Sequence, residues 1–205
     1  MAGSAARAVM WQDLDLGPRL FARLALPAAA RDLLLIAGSG LITVDDEECA
    51  LLLARQHALL TCALLDEEEI RYPDAVRNVF RLGDRLLQAL AHVHRDEGLA
   101  ALPLVLCCRE DVTPAAVRAA AQRDTQVAAI AALGGEIDRA GIERLRLCRA
   151  PLLLLHAPED HQSPAALQRA APYLSAPCCV RQLAAGEAVL SAQADWWRHL
   201  ADAHR

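Results

Sequence analysis

Short apolar runs alternate with amphipathic segments along almost the whole chain. Gly, Pro or charged residues bound most of these runs, as expected for strands covered on both faces of a sheet. The runs lie at residues 32–37, 60–65, 103–108, 127–133, 151–157 and 178–183. Residues 20–27 instead alternate apolar and polar positions and end at Pro27. This pattern predicts an edge strand.

Between these runs the apolar positions follow helical spacing. Acidic residues 45–48 open the first predicted helix, where the helix dipole favours negative charge, and its apolar positions include Ala58 and Leu59. Residues 74–96 predict one long amphipathic helix. Thr113-Pro114 and Ser163-Pro164 each place a hydroxyl N-cap before a proline, which predicts two further helix starts. Residues 189–203 predict a closing helix.

Strands joined by helical crossovers predict an α/β fold, with a mostly parallel central sheet and helices on both faces. The composition is 55% hydrophobic and only 3% aromatic, which suits Leu- and Ala-rich helices packed on a sheet. We predict an N-terminal arm at residues 1–19, with a short edge element around Trp11. Residues 20–205 are predicted to form a single domain.

Composition also limits the function. A net charge of -5 argues against a nucleic-acid surface, and no run approaches the ~20 apolar residues of a membrane span. Seven Cys without an export signal predict reduced thiols in the cytoplasm. The basic residues are Arg without Lys, which resembles the codon bias of a GC-rich genome. We expect a bacterial protein. The remaining partner classes are a second copy of the chain, another protein and a small-molecule ligand.

Several segments resemble the dienelactone-hydrolase-like group of the α/β-hydrolases. Residues 35–40 (LIAGSG) are similar to the loop that helps shape the oxyanion hole, with Ala37 where the family has His. Residues 64–69 (LLDEEE) and Arg77 are similar to an acidic loop and an Arg-bearing helix. In residues 147–160 (LCRAPLLLLHAPED), Asp160 falls where the family has its triad acid. The resemblance covers roughly residues 20–200 and implies an α/β-hydrolase-like three-layer sandwich.

Two family motifs are altered in this chain. The nucleophile elbow of the family is Gly-x-Ser-x-Gly or Gly-x-Cys-x-Gly. Here residues 104–112 (LVLCCREDV) place Glu110 at the nucleophile and Cys108 and Val112 at the glycines. Glu187 falls near the family histidine, and no His occurs between residues 161 and 199. Because acyl transfer needs an activated nucleophile and a base, we predict a pseudoenzyme without ordinary serine-hydrolase catalysis. Its role would be binding, scaffolding or subunit pairing.

An active hydrolase on small esters or lactones is the first alternative. In this hypothesis Cys108 is the nucleophile, and the neighbouring Arg109 favours its thiolate. The structural interpretation of Cys107 and Cys108 is that both are small hydrophobic residues of a buried strand.

A regulator that binds a small molecule or a cation is the second alternative. Glu110, Asp160 and Glu187 all follow strand ends, which converge at one crevice in this type of fold. Three carboxylates meeting there would hold a hard cation, whereas solvated loop acids would point apart. We predict no cofactor and no dedicated metal site, because the glycine-rich dinucleotide fingerprint is incomplete and metal-binding Cys spacing is missing.

Overall fold

The computed structural model describes residues 9–17, 19–123 and 125–203, and its centre is an eight-stranded sheet. The strand order is β1-β2-β4-β3-β5-β6-β7-β8. β1 and β2 pair antiparallel, as do β2 and β4, and all the remaining pairs are parallel. The strands are β1 Gln12–Asp15, β2 Phe21–Ala25, β3 Asp32–Gly38, β4 His57–Ala63, β5 Leu104–Arg109, β6 Val127–Leu133, β7 Leu152–His156 and β8 Cys178–Gln182.

Helices cover both faces of the sheet, so the predicted three-layer sandwich is confirmed. The helices are α1 Asp46–Ala54, α2 Pro73–Val76, α3 Val79–Arg95, α4 Glu97–Ala100, α5 Val112–Ala120, α6 Ile142–Leu147, α7 Gln162–Ala170 and α8 Val189–Ala203. α1 and α8 pack on one face, and α3, α5, α6 and α7 pack on the other. Successive residues of β3 divide between the two layers: Leu33 and Leu35 belong to the α3 side, Leu34 to the α1 side.

The first predicted helix is shorter than its apolar spacing suggested. Asp45 caps α1 by accepting a hydrogen bond from the Glu48 N–H at 2.8 Å, as the acidic start predicted. The helix ends at Ala54, and Gln56 takes a positive φ of 69°. Ala58 and Leu59 therefore lie in β4, where they pair with β3. The extension of the helix to these two residues was wrong, because the chain turns at Gln56 to join the sheet.

The predicted single helix at residues 74–96 is two helices. α2 ends at Val76 and α3 begins at Val79, with Arg77 between them. Asn78 caps α3 because its side chain accepts a hydrogen bond from the Arg81 N–H. The break places Arg77 in a loop rather than on a continuous helix.

Two predicted helix starts each lie two residues earlier in the structure. α5 begins at Val112, and Thr113 is already inside it, with its hydroxyl donating to the Gly134 carbonyl at 2.8 Å. α7 begins at Gln162, and the Asp160 carboxylate accepts from the N–H groups of Gln162 and Ser163. The Thr113 hydroxyl therefore bonds the loop after β6, and the Ser163 hydroxyl bonds the side chain of Asp160. Neither hydroxyl caps its own helix.

β1 lies inside the segment predicted as an arm. Its residues, Gln12–Asp15, pair with β2 and extend the sheet by one strand, close to the edge element expected around Trp11. Residues 1–8 of that segment lie outside the described residues. Within residues 9–17, 19–123 and 125–203, none of the helices combines the length and apolar character needed to cross a bilayer.

Candidate functional site

The turn from β5 into α5 holds Glu110 in an unusual backbone conformation. Its φ is 49°, in the left-handed region that costs an ordinary L-residue about 1–2 kcal/mol. The turn is held by two hydrogen bonds, from the Glu110 N–H to the Leu133 carbonyl and from the Thr113 N–H to the Glu110 carbonyl, each 3.0 Å long. The side chain of Glu110 is exposed. This turn, which we call the elbow, therefore presents a carboxylate to solvent at the position that the resemblance gives to the nucleophile.

A glycine in the loop after the neighbouring strand β6 makes room for this turn. A Cβ on Gly135 would lie 2.3 Å from the Glu110 carbonyl oxygen and 2.7 Å from the Thr113 Cβ. Gly135 also has a φ of 107°, which favours glycine by itself. The family motif has its glycines inside the nucleophile elbow, whereas Gly135 lies in the loop after β6, so the motif did not predict its contribution. The Gly134-Gly135 pair after an apolar strand was the signal.

Glu110 and Asp160 line the same cleft, at the edge where the parallel strands end. The cleft has a volume of about 410 Å³, within the range of small-molecule sites. The loops after β5, β6 and β7 form most of its wall, and the loop between α2 and α3 adds Arg77. Of the four predicted site residues, Cys108, Glu110, Asp160 and Glu187, the cleft thus brings together Glu110 and Asp160. Arg77 adds a positively charged side chain to the same cleft.

Asp160 is held by the start of α7. Its Oδ2 accepts a hydrogen bond from the Ser163 hydroxyl at 2.6 Å, and its Oδ1 accepts from the N–H groups of Ser163 and Gln162. Burial acts to raise the pKa of Asp160, but these hydrogen bonds and the interaction with His156 lower it below the ordinary value. Asp160 is therefore ionised at neutral pH and fixed in orientation. The buried Ser163 hydroxyl also accepts from the Gly135 N–H at 2.8 Å, which connects Asp160 to the elbow.

The lowered pKa of Asp160 leads to a prediction about stability. We expect Asp160→Asn to lower the Tm at pH 7, because a carboxyl with a depressed folded-state pKa stabilises the fold above its unfolded-state pKa. The Tm difference from wild type should shrink as the pH falls below about 4 and the native carboxyl becomes protonated. Thermal unfolding of both proteins from pH 7 to pH 3 measures it. Asp84→Asn, on the exposed face of α3, is the control; a Tm difference independent of pH would contradict the prediction.

Glu187 does not join the other two carboxylates. Its side chain accepts hydrogen bonds from the Ala184 N–H at 3.0 Å and from Arg181 at 2.7 Å, and these lower its pKa. Among the described residues that line the cleft, Glu187 is absent. The described part of the chain also contains no group of three or more His, Cys, Asp or Glu side chains able to hold a metal ion. The alternative in which the three acids converge on a cation is therefore not supported, because Glu187 closes a local turn with Arg181.

Cys108 lies beneath the elbow and not in the cleft. It is 4% exposed, and burial raises the pKa of its thiol to about 12, despite the opposing effect of a hydrogen bond with Thr113. The neighbouring Cys107 is 1% exposed, and burial raises the pKa of its thiol as well. A thiol nucleophile needs access and thiolate character. Cys108 has neither, so the structure favours its interpretation as a small hydrophobic core residue.

Solved structures with similar folds include proteins named as a hydrolase and an esterase. The chain matches a dienelactone hydrolase from Anabaena variabilis with a TM-score of 0.78 and 22% identity, covering 94% of this chain and 99% of that one. It matches an acetyl xylan esterase from Paenibacillus sp. R4 with a TM-score of 0.68 and 12% identity, over 98% and 86% of the two chains. It matches Est1E from Butyrivibrio proteoclasticus with a TM-score of 0.62 and 12% identity, over 86% and 88%.

The chain has an α/β-hydrolase fold, similar to that of a dienelactone hydrolase. No protein-family model matches the sequence, and no curated protein matches it. The likeness therefore concerns the fold, and the chemistry has to be argued from the side chains of the cleft. In this hydrolase fold, Glu110 occupies the turn after the central strand and Asp160 follows β7.

Proposed function

We propose that this chain hydrolyses small esters or lactones in the cleft beside Glu110, with the carboxylate of Glu110 as the general base. One observation carries the proposal: the elbow of the hydrolase fold holds an exposed Glu at a φ of 49°. Strained non-glycine residues cluster at functional sites, where neighbouring structure maintains them. The similarity to a dienelactone hydrolase and to esterases supports this alternative more than it supports loss of catalysis.

The proposed reaction begins with general-base catalysis by Glu110. Its carboxylate takes a proton from a water molecule while the water oxygen attacks the carbonyl carbon of the substrate. The carbonyl oxygen becomes an oxyanion as the new C–O bond forms. The bond to the leaving oxygen then breaks, and the protonated Glu110 returns the proton to that oxygen. One ester and one water give one acid and one alcohol, and a lactone gives a hydroxy acid.

Two features of the cleft support stabilisation of the oxyanion. α5 begins directly after the elbow, so the partial positive charge of its N-terminus lies beside the reacting group. Arg77 lines the same cleft and supplies a full positive charge. Asp160 has a different role in this proposal: as an ionised and oriented carboxylate, it keeps an acceptor for a substrate hydroxyl or for the attacking water.

Binding without turnover is the second candidate function. It is favoured by the described lining of the cleft, which contains no histidine. The position near the family histidine holds Glu187, which bonds Arg181. In this candidate the cleft retains a ligand through Arg77 and Asp160, as in the predicted pseudoenzyme, without cleaving it.

Turnover of simple substrates separates the two candidates. We expect the purified protein to hydrolyse at least one member of a panel of p-nitrophenyl acetate and small γ- and δ-lactones, followed by absorbance or by acid release. The Cys108→Ala variant should retain the wild-type rate within about twofold, because the thiol is buried and protonated. Loss of the activity in Cys108→Ala would instead restore Cys108 as the nucleophile. No hydrolysis above the buffer rate across the panel would favour binding alone.

A further inference from the structure

The edge of the sheet at β8 is open to solvent. β8 is last in the strand order, and among the described residues β7 is the strand that pairs with it. β7 is buried over residues 152–155, whereas β8 is exposed at every position except the half-buried Arg181. Val180 at its centre is 45% exposed. The strand therefore presents both its backbone and an apolar side chain to solvent.

The two edge strands differ in how well they discourage further pairing. Charged side chains, prolines and bulges commonly protect the edges of sheets. β1, at the other edge, carries Asp13 and Asp15 among its four residues. β8 has one charged residue, Arg181, and its guanidinium already bonds Glu187 at 2.7 Å. Charge therefore protects β1 against another strand but gives β8 little protection.

Two hydrogen bonds determine which backbone groups of β8 face outward. The Pro177 carbonyl accepts from the Leu152 N–H, and the Leu183 N–H donates to the His156 carbonyl, each at 2.9 Å. The N–H and C=O of one residue point to the same side of a strand, and successive residues alternate. The odd-numbered residues of this segment therefore face β7. The outward N–H and C=O groups belong to the even-numbered residues of the strand, Cys178, Val180 and Gln182.

These outward groups are symmetric about Val180. A second copy of β8, antiparallel to the first and related to it by a two-fold axis at Val180, would place the two Val180 residues opposite each other. Cys178 of each copy would then face Gln182 of the other. Each facing pair in this register exchanges two N–H···O=C hydrogen bonds. Every outward N–H of β8 thus meets an outward carbonyl, and the bonds to β7 stay as they are.

The side chains fit the same register. Directly opposite residues bring their Cβ atoms to about 4.5–5.5 Å, so the two Val180 side chains would remove each other's apolar surface from water. Arg181 would face Cys179 of the second copy, so the two guanidinium groups are not placed opposite each other. The register therefore has an apolar contact at its centre and no directly facing pair of like charges.

We propose that β8 is a dimerisation strand, through which two copies of this chain join their sheets by antiparallel pairing. A two-fold interface uses the same surface on both copies and has to be self-complementary, as the outward backbone of β8 is. The described residues that line the elbow cleft include none from β8. The proposal therefore does not depend on hydrolysis in that cleft.

Substitution at Val180 tests the backbone pairing. Sedimentation velocity of the full chain, over a dilution series with reductant present, should show a dimer whose fraction rises with concentration. Val180→Pro should raise the Kd of the dimer at least about tenfold, because it removes an outward N–H from each copy. That N–H does not bond β7, so thermal unfolding should show that the variant still folds. Val180→Ile keeps the N–H and an apolar side chain, and its Kd should stay within about threefold of wild type.

A disulfide reports the register without relying on the proline variant. Cys178→Ser and Cys179→Ser together provide the background. Adding Val180→Cys places two thiols on directly opposite residues, with Cα atoms about 5.5 Å apart, which a disulfide spans. Oxidised glutathione should link them into a covalent dimer and be reduced to two thiols. Gln182→Cys in the same background faces residue 178 of the second copy, not its own counterpart, and should link far less.

Three results would each overturn the proposal. The first is a wild-type chain that stays monomeric up to about 100 μM. The second is an equal Kd for Val180→Pro and Val180→Ile, which would place the interface elsewhere on the molecule. The third is equal cross-linking of the Val180→Cys and Gln182→Cys variants, which would mean that the copies meet by random collision and not in this register.

Discussion

Replacing Glu110 with Gln is expected to lower kcat for ester or lactone hydrolysis by at least about 100-fold, with little change in KM. General-base catalysis contributes about 10²–10⁴-fold, and Gln keeps the shape of Glu while removing its basicity. The fold should persist because the elbow is held by backbone bonds to Leu133 and Thr113, which the substitution leaves in place. Steady-state kinetics on the best substrate of the panel measures both parameters.

A neighbouring carboxylate gives the control for this variant. Glu159→Gln removes the same charge from an exposed residue that does not line the cleft, and its kcat should stay within about twofold of wild type. Matching Tm values for the two variants would exclude a folding defect as the cause of lost activity. If Glu110→Gln hydrolysed its substrate at close to the wild-type rate, the reacting group would lie elsewhere.

Replacing Gly135 with Ala is expected to destabilise the protein by about 3 kcal/mol. The new Cβ would lie 2.3 Å from the Glu110 carbonyl oxygen, and the φ of 107° is unfavourable for alanine. For a chain of this length the Tm should fall by about 6–12 °C. Because the clash pushes on the elbow, hydrolysis should also decrease. Thermal unfolding with parallel activity measurements checks both effects.

Gly141→Ala separates the clash from the backbone strain. Gly141 also has a positive φ, 88°, but a Cβ there would meet no heavy atom within 4 Å. We expect this control to cost about 1–3 kcal/mol, from backbone strain alone, and to leave hydrolysis unchanged. A Gly135→Ala variant no less stable than Gly141→Ala would mean that the elbow and the end of β6 are not in close contact.

Elements with one clear local pattern were predicted well. β6 and α8 have the predicted bounds, residues 127–133 and 189–203. β6 is a short apolar run between polar residues and glycines, and α8 carries its apolar residues at helical spacing, so each pattern is contained within the element. The prediction for residues 55–59 was wrong because the apolar residues of this segment fit both a helix and a strand. Pairing of β4 with β3 resolves that ambiguity.

The candidate site could be predicted only in part. The resemblance assigned Glu110 and Asp160 to positions that the fold brings to one cleft. It assigned Glu187 to the same crevice, but the side chain bonds Arg181. It left Cys108 as a candidate nucleophile, whereas that side chain points into the core. The direction of a side chain at the end of a strand depends on backbone angles and neighbours, which residue spacing does not report.

Local patterning was sufficient to predict the layers, the mostly parallel sheet and the strand ends where a site should lie. Long-range pairing decided the contacts that matter chemically. Asp32, His57 and Trp197 are distant in sequence, and they meet because β3 and β4 are neighbours and α8 packs across them. Gly135 supports Glu110 for the same reason, since β5 and β6 are neighbours. Periodicity reports which face of an element is buried, whereas strand order and register determine which residues touch.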